Sequence, residues 1–188
     1  MKRTLPGTTL TCPPELTDDA FSVLSPIFAV SAGGLLLSQV VEMTGLSPST
    51  IQNWVKRGWV SNPINKKYGE IQVARILIIN LLRSAMQLEK IARLLSYVNG
   101  RVDDRTDDSL SDPRLYSLLC AAIFQWQDGG DISREALVAL IDRHMQGYER
   151  TVADAEERLL NALELMLLSV QASELMRQAD MLYEEISR

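Results

Sequence analysis

The stretch MTGLSPSTIQNWVKRGWV, Met43 to Val60, constrains this chain more than any other. Ser47-Pro48 marks a helix start, because the serine hydroxyl accepts an orphan backbone N–H and proline suits the first helical position. Gly58 marks a stop, so the spacing predicts a helix from Pro48 to Arg57. Upstream, Ser38 is placed to cap a short helix over Gln39 to Thr44. Gly45, which accepts positive φ cheaply, turns the chain between the two. Ile51, Trp54 and Val55 supply the buried side of the second helix, against Val40, Val41 and Met43 of the first and Leu46 of the turn. Trp54 and Trp59 are assigned to core. Two short helices joined this way form a helix-turn-helix pattern.

The polar complement of the second helix is Ser49, Thr50, Gln52, Asn53, Lys56 and Arg57. Glutamine and asparagine can pair with adenine edges through two hydrogen bonds, while serine, threonine, lysine and arginine suit phosphates. VSNPINKKYG, Val60 to Gly69, is too polar for core and too long for a tight turn. It predicts a small β-hairpin or wing, with Asn65, Lys66, Lys67 and Tyr68 placed to clasp a flanking backbone. Helices over Glu70 to Ser84 and Gln87 to Val98 follow, the latter on the 3,4-spaced stripe Leu88, Ile91, Ala92, Leu95, Val98.

Charge sharpens this reading. The chain has a net charge of −5 and a pI near 5.0, an unpromising balance for a partner of nucleic acid. It is an average of unlike parts. Residues 35–100 hold eight bases against three acids, whereas residues 101–188 hold nine arginines against eighteen acids. Such asymmetry between halves suggests a nucleic-acid partner for the basic part.

The rest of the chain divides less sharply. Residues 1–16 are rich in Pro and Thr and read as a loose arm. Thr17-Asp18-Asp19 is placed to cap a short helix through about Ala29, ended by Ser31 to Gly34. NGRVDDRTDDSLSDP, Asn99 to Pro113, reads as an acidic linker and the best domain boundary. It lacks EF-hand spacing and a closing glutamate, so a solvated linker is the better reading than a calcium loop. Asp112-Pro113 opens a helix with Leu115, Leu118, Leu119, Ala122, Ile123 and Trp126 inward. Asp131 or Ser133 starts another, with Leu137, Leu140, Ile141 and Met145 inward and Gly147 as a joint. Tyr148 to Ser187 contains no Pro or Gly. Its apolar positions, from Val152 to Ile186, exceed what a lone surface helix needs. It must pack on the other C-terminal helices, on a second copy, or both.

Other chemistries lack their residues. Cys12 and Cys120 are the only cysteines and His144 the only histidine. A disulfide framework or thiolate zinc site needs more, and His144 falls on an apolar helix face where a core or half-buried imidazole is the usual outcome. No phosphate-binding glycine loop, metal motif or nucleophile–base pair is visible, which argues against an enzyme, a metal or a cofactor. The N-terminus does not read as a signal peptide. The apolar run Ile76 to Leu82 is too short to span a bilayer, so a cytoplasmic protein without a membrane partner is expected.

Residues 35–98 resemble the N-terminal domain of MerR-type regulators, a winged helix-turn-helix. GLSPSTIQNWVKRGWVSNP, Gly45 to Pro63, follows that family's turn and recognition helix. Lys66-Lys67-Tyr68 stands where its wing carries Arg-x-Tyr. QVARI, Gln72 to Ile76, and MQLEKI, Met86 to Ile91, follow in order. The sequence departs from the family at Gln52-Asn53, where an Arg-Tyr pair is usual. It departs again in a shorter wing, in the absence of metal-sensing thiols, and in several helices where one coiled coil is usual. The stretch through LLSYVNGRVDDRTDDSL also resembles a bacterial family of unknown function with this head and a helical tail.

The expectation is an all-α protein with a small β wing and four parts. These are an arm and short helix (1–34), a DNA-binding winged helix-turn-helix (35–100), an acidic linker (101–112), and a helical dimerisation or regulatory domain (113–188). The resemblance implies a transcriptional regulator bound to double-stranded DNA as a homodimer. The alternative is a protein-interaction or excisionase-like architectural module. The Met- and Leu-rich C-terminal helices leave room for an apolar effector of unknown identity, although core and dimer seam account for such stripes.

Overall fold

Helix α4 (Glu70–Leu82) organises the molecule. Its sequence EIQVARILIINLL offers apolar residues on every side, and Val73, Ala74, Ile76, Leu77, Ile78, Ile79 and Leu82 are all buried. A helix apolar all round belongs in the centre of a fold, with neighbours on several faces. The computed structural model describes residues 3–99, 110–144 and 154–187. In chain order these form β1 (Arg3–Thr4), β2 (Thr11–Cys12), two 3-10 turns (Pro14–Leu16 and Ala20–Leu24), α1 (Ser25–Val30) and β3 (Leu35–Leu36). There follow α2 (Leu37–Thr44), α3 (Pro48–Lys56), β4 (Lys67–Tyr68), α4, α5 (Leu88–Asn99), α6 (Asp112–Gln127), α7 (Arg134–His144) and α8 (Ala155–Ile186). The expected all-α class holds, with two small antiparallel sheets, β1–β2 and β3–β4.

Several helices begin where the sequence places them. Ser47 Oγ accepts from Thr50 N at 3.1 Å with Pro48 at the first position, so α3 starts as predicted. Gly45 ends α2 in the left-handed region, φ +69°, and its N–H closes the last turn on Val41 O at 2.8 Å. Ser38 does not cap α2. The helix starts at Leu37 with no side-chain cap on its first turn, and Gln39 Oε1 reaches back to accept from Leu36 N at 2.8 Å.

The N-terminal segment is not a loose arm. β1 pairs with β2, Leu5 N donates to Leu10 O at 2.7 Å, and Leu5 and Cys12 are buried. Three bonds tie its turn to the helices: Thr9 N to Met43 O (2.9 Å), Asn80 Nδ2 to Gly7 O (3.0 Å), and Tyr116 Oη to Pro6 O (2.6 Å). Pro- and Thr-rich composition suggested an arm, but two apolar anchors, the Asn80 and Tyr116 side chains and the Met43 carbonyl hold it down. The helix expected from Thr17 to Ala29 is split into the turn Ala20–Leu24 and α1, with no side-chain cap from Asp19.

Nor do the two halves stand apart. α4 packs most extensively on α6, and α8 touches α4, α5, α6 and α7. One hydrophobic cluster runs from Leu5 through α4 and α6 to Leu167. Arg75 on α4 and Asp112 at the start of α6 form a buried two-bond ion pair, Nε–Oδ2 2.8 Å and Nη2–Oδ1 3.1 Å. The linker reading rested on polarity between two apolar blocks, and polarity does not report which faces meet. Residues 100–109 of that segment, with Met145, Gly147, Tyr148 and Val152, lie outside the described residues.

α8 is long and apolar enough, by length and composition, to cross a membrane. This run escaped the sequence reading, which took Ile76 to Leu82 as the longest. Its first half is a core helix, which meets the same criterion: Leu159, Leu160, Ala162, Leu163, Met166 and Leu167 are buried in the fold.

Candidate nucleic-acid interface

α3 sorts its residues cleanly. Ile51 and Trp54 are buried and Val55 is half-buried, while Ser49, Gln52, Asn53 and Lys56 are exposed. Positions 49, 52, 53 and 56 follow 3,1,3 spacing and therefore share one face of the helix. The buried stripe fixes that face outward, because Trp54 is among the largest fully buried side chains in the molecule. Thr50 is half-buried, and its hydroxyl sits 2.8 Å from Ser47 Oγ. Ser49 Oγ lies 2.9 Å from the same oxygen, so both hydroxyls are partly engaged in capping α3.

Arg57, just past the helix, is held by its neighbours. Its guanidinium lies 5.2 Å from the Trp59 ring centre and 3.6 Å from Glu89 Oε1 on α5. Trp59 is half-buried rather than core, spread beneath this cation. Both contacts are exposed and each is worth at most about 1 kcal/mol, so Arg57 can leave them for a phosphate at small cost.

The hairpin is tighter than the sequence suggested. Ile64 and Lys67 exchange both backbone bonds, Ile64 N to Lys67 O at 3.0 Å and Lys67 N to Ile64 O at 2.9 Å. The two residues between them, Asn65 and Lys66, have φ of 51° and 63°. Two consecutive left-handed residues match the right-handed twist of a two-residue hairpin, and asparagine tolerates that region well. Asn65 and Lys66 are exposed at the tip, with Ile64 beside them.

Behind the tip the strand turns inward. Leu35 pairs with Tyr68 and Leu36 with Lys67. Gly34 permits this approach, since a Cβ there would lie 2.9 Å from Lys67 Cβ and 3.1 Å from Tyr68 O. Gln72 locks the base, accepting from Gly69 N at 2.6 Å and donating to Asn62 O at 2.7 Å. Tyr68 is only 4% exposed, and burial pushes its phenol up. Lys67 is half-buried, with Nζ donating to Ser31 O at 2.7 Å, at the carboxyl end of α1. These two candidates therefore serve the fold: β4 needs an inward residue at 68, and the C-terminal carbonyls of α1 attract a cation at 67. Of the ten candidates, Ser49, Gln52, Asn53, Lys56, Arg57, Asn65 and Lys66 are exposed, Thr50 and Lys67 are half-buried, and Tyr68 is buried.

A second basic feature was missed. Lys90, Arg93 and Tyr97 occupy one exposed face of α5 and line a groove shared with Met86, Leu165 and Ser169. Their 3,4 spacing, set between the buried Ile91, Leu94 and Val98, was the available signal.

The two cysteines and the histidine are packed into the fold. Cys12 and Cys120 are free and buried, and burial pushes both thiols up. His144 is half-buried, as its helix face suggested, with ring nitrogens 2.9 Å from Leu140 O and 2.8 Å from Asp18 O. Among the described residues, no group of three His, Cys, Asp or Glu side chains is placed to share a metal ion.

Comparison with known proteins reaches the same half of the chain. No solved structure matches it. It is 35% identical over 91 residues to "Uncharacterized protein YkrK" of Bacillus subtilis (strain 168), covering 46% of this chain and 39% of that protein. Residues 31–118 match the family described as Domain of unknown function (DUF1836). That match runs from the end of α1 into α6, and so contains α2, α3, the hairpin and both members of the Arg75–Asp112 pair.

Proposed function

We propose that this protein is a sequence-specific DNA-binding regulator whose head reads the major groove with α3. One observation carries the reading: Ser49, Gln52, Asn53 and Lys56 are presented together on the outer face of a helix pinned by Ile51 and Trp54. A rigid helix with two amides at its centre suits base edges in a major groove. Asn65 and Lys66, at the tip of a hairpin braced by Gln72, provide a contact to the flanking backbone. The order of turn, helix, hairpin and following helices adds the MerR-like resemblance to this reading. On this reading the protein works in the cytoplasm, where DNA is reached. The net negative charge of residues 101–188 keeps that half off the phosphates. A two-fold dimer would read half-sites about 34 Å apart, or a multiple of that.

Binding of the full chain to fragments of its own genome, followed by fluorescence anisotropy, tests the reading. Affinity should fall steeply with salt. Replacing Gln52 and Asn53 by Ala should relax base preference, at about 1–3 kcal/mol for each lost two-bond contact. Replacing Lys66 should weaken all sequences alike and lower the salt slope by about one. Lys67→Met should leave affinity nearly unchanged, because Nζ is already bonded to Ser31 O. No binding to any fragment at low salt would sink the DNA reading.

A second reading has one observation in its favour. Arg57 is paired and Lys67 is bonded inward, so the outer face offers phosphates fewer free cations than the sequence suggests. A protein-interaction or architectural module needs fewer. It would bind DNA weakly or not at all, or bend it with the same affinity for every sequence.

A further inference from the structure

A cavity of about 340 Å³ opens between the N-terminal segment and the C-terminal half, and shares no residue with α3 or the hairpin. Its floor is apolar: Ala121 and Phe124 of α6 and Leu140 of α7, all buried. Its walls carry two guanidiniums, Arg3 and Arg143, and two carboxylates, Asp18 and Asp128. One opposite pair is already joined. Arg3 lies over the Phe124 ring, 5.4 Å from its centre, and bonds to Asp128. The other two charges are not joined. Among the described residues, neither the Asp18 carboxylate nor the Arg143 guanidinium has a hydrogen-bond or ion-pair partner.

The fold holds these two apart. Asp18 sits in the short link between the two 3-10 turns, and three bonds fix that link. Thr17 Oγ1 donates to Pro14 O at 3.1 Å, His144 Nε2 lies 2.8 Å from Asp18 O, and Ser117 Oγ donates to Asp19 Oδ1 at 3.1 Å. Arg143 belongs to the last turn of α7, one residue before that histidine. Gly129 and Gly130, just past α6, leave the rim free of side chains. Two opposite charges therefore border one open cavity without meeting, above an apolar floor.

We propose that this cavity binds a free α-amino acid with an apolar side chain. Its carboxylate pairs with Arg143, whose planar fork offers two parallel bonds. Its ammonium pairs with Asp18, and its side chain lies on Ala121, Phe124 and Leu140. The charges select a zwitterion. A simple anion would satisfy Arg143 and meet Asp18 as a like charge, and a simple cation would do the reverse. A cavity of this volume lies at the small end of ligand sites, as a single amino acid requires. Arg3 is spent on Phe124 and Asp128, so it shapes the wall and leaves the ligand to Arg143. Both charged contacts are open to water on one side, which sets the dissociation constant at about 0.1–1 mM. The site needs no DNA and stands or fails apart from the DNA reading.

Isothermal titration calorimetry of the full chain without DNA, using L-leucine, L-methionine and L-phenylalanine, tests it. At least one should bind with a dissociation constant below about 1 mM. The same molecule without its ammonium (4-methylpentanoate for leucine) or without its carboxylate (3-methylbutylamine for leucine) should bind at least about tenfold more weakly. Asp18→Asn and Arg143→Gln should each weaken the amino acid about tenfold, with helicity unchanged. The losses should also be matched. Asp18→Asn should bring the amino acid and its ammonium-free analogue within about threefold of each other, and Arg143→Gln should do so for the carboxylate-free analogue. No binding of any of the three at about 10 mM would overturn the proposal. So would equal affinity for the amino acid and either analogue, substitutions that leave the amino acid's affinity unchanged, or a loss that falls equally on the amino acid and both analogues.

Discussion

The two halves of α8 are the same kind of sequence with opposite fates. Leu163 and Met166 in the first half are fully buried, while Leu182 and Ile186 in the second are open to solvent. Both halves carry leucine, methionine and alanine at helical spacing. They differ in width. The first half is apolar around much of its circumference and meets α4, α5, α6 and α7. The second intersperses its apolar residues, Leu175, Met176, Met181, Leu182, Tyr183 and Ile186, with Glu174, Arg177, Asp180 and Glu184, and all six are exposed. A wide apolar face fits a core with several neighbours, whereas a face broken by charges leaves its apolar residues at the surface.

The largest effect available should come from the join that the buried half of α8 helps to cover. Arg75→Ala leaves Asp112 buried without its guanidinium and should cost about 3–5 kcal/mol. Urea unfolding followed by Trp54 fluorescence and by helicity should shift together, since both halves share the core. Separate transitions would show two independent domains instead. Next, Leu163→Ala should cost about 2–5 kcal/mol through the cavity it leaves, while Leu182→Ala, the same change on the same helix, should stay within about 0.5 kcal/mol in the dilute chain. Equal costs would erase the contrast between the halves. Gly34→Ala should cost about 1–3 kcal/mol by forcing β3 from β4, visible as a lower urea midpoint with no change in slope.

The smallest effect is a titration on the exposed half. The Glu174 carboxyl is held down to about 2, first by its hydrogen bonds from Arg177 and Gln178. Its folded value lies below the ordinary value of 4.5, so whatever it contributes is present above 4.5 and is lost as pH falls toward 2. The site is exposed, so salt should screen much of it. Carboxyl NMR should place its midpoint near 2, and Arg177→Ala should return it toward the ordinary glutamate range.

Legibility followed the range of the signal. Ser47, Pro48, Gly45 and Gly58 act within one helical turn, and α3 lies within a residue of its expected bounds. α6 was readable in part: its predicted inward residues Leu115 to Ile123 are buried, but so is every residue between them, and Trp126 is only half-buried. The hairpin was half-readable. Its polar tip was foreseen, but a two-residue strand has no period to reveal that Tyr68 points inward, nor that Lys67 meets the end of α1. The N-terminal hairpin was misread for the same reason. The basic face of α5 had a period and was passed over because its apolar stripe drew attention first.

The sequence by itself determined most of the helices, the Ser47-Pro48 cap and Gly45 turn of α3, and its outward face. Each is set by residues within a few positions of one another. Only the tertiary structure decided that the halves share a core, that Arg75 and Asp112 meet, that the N-terminal segment is anchored, and that one half of α8 is buried and the other bare. Those outcomes depend on which apolar faces find each other across the chain, and burial against a distant partner leaves no local mark on either one.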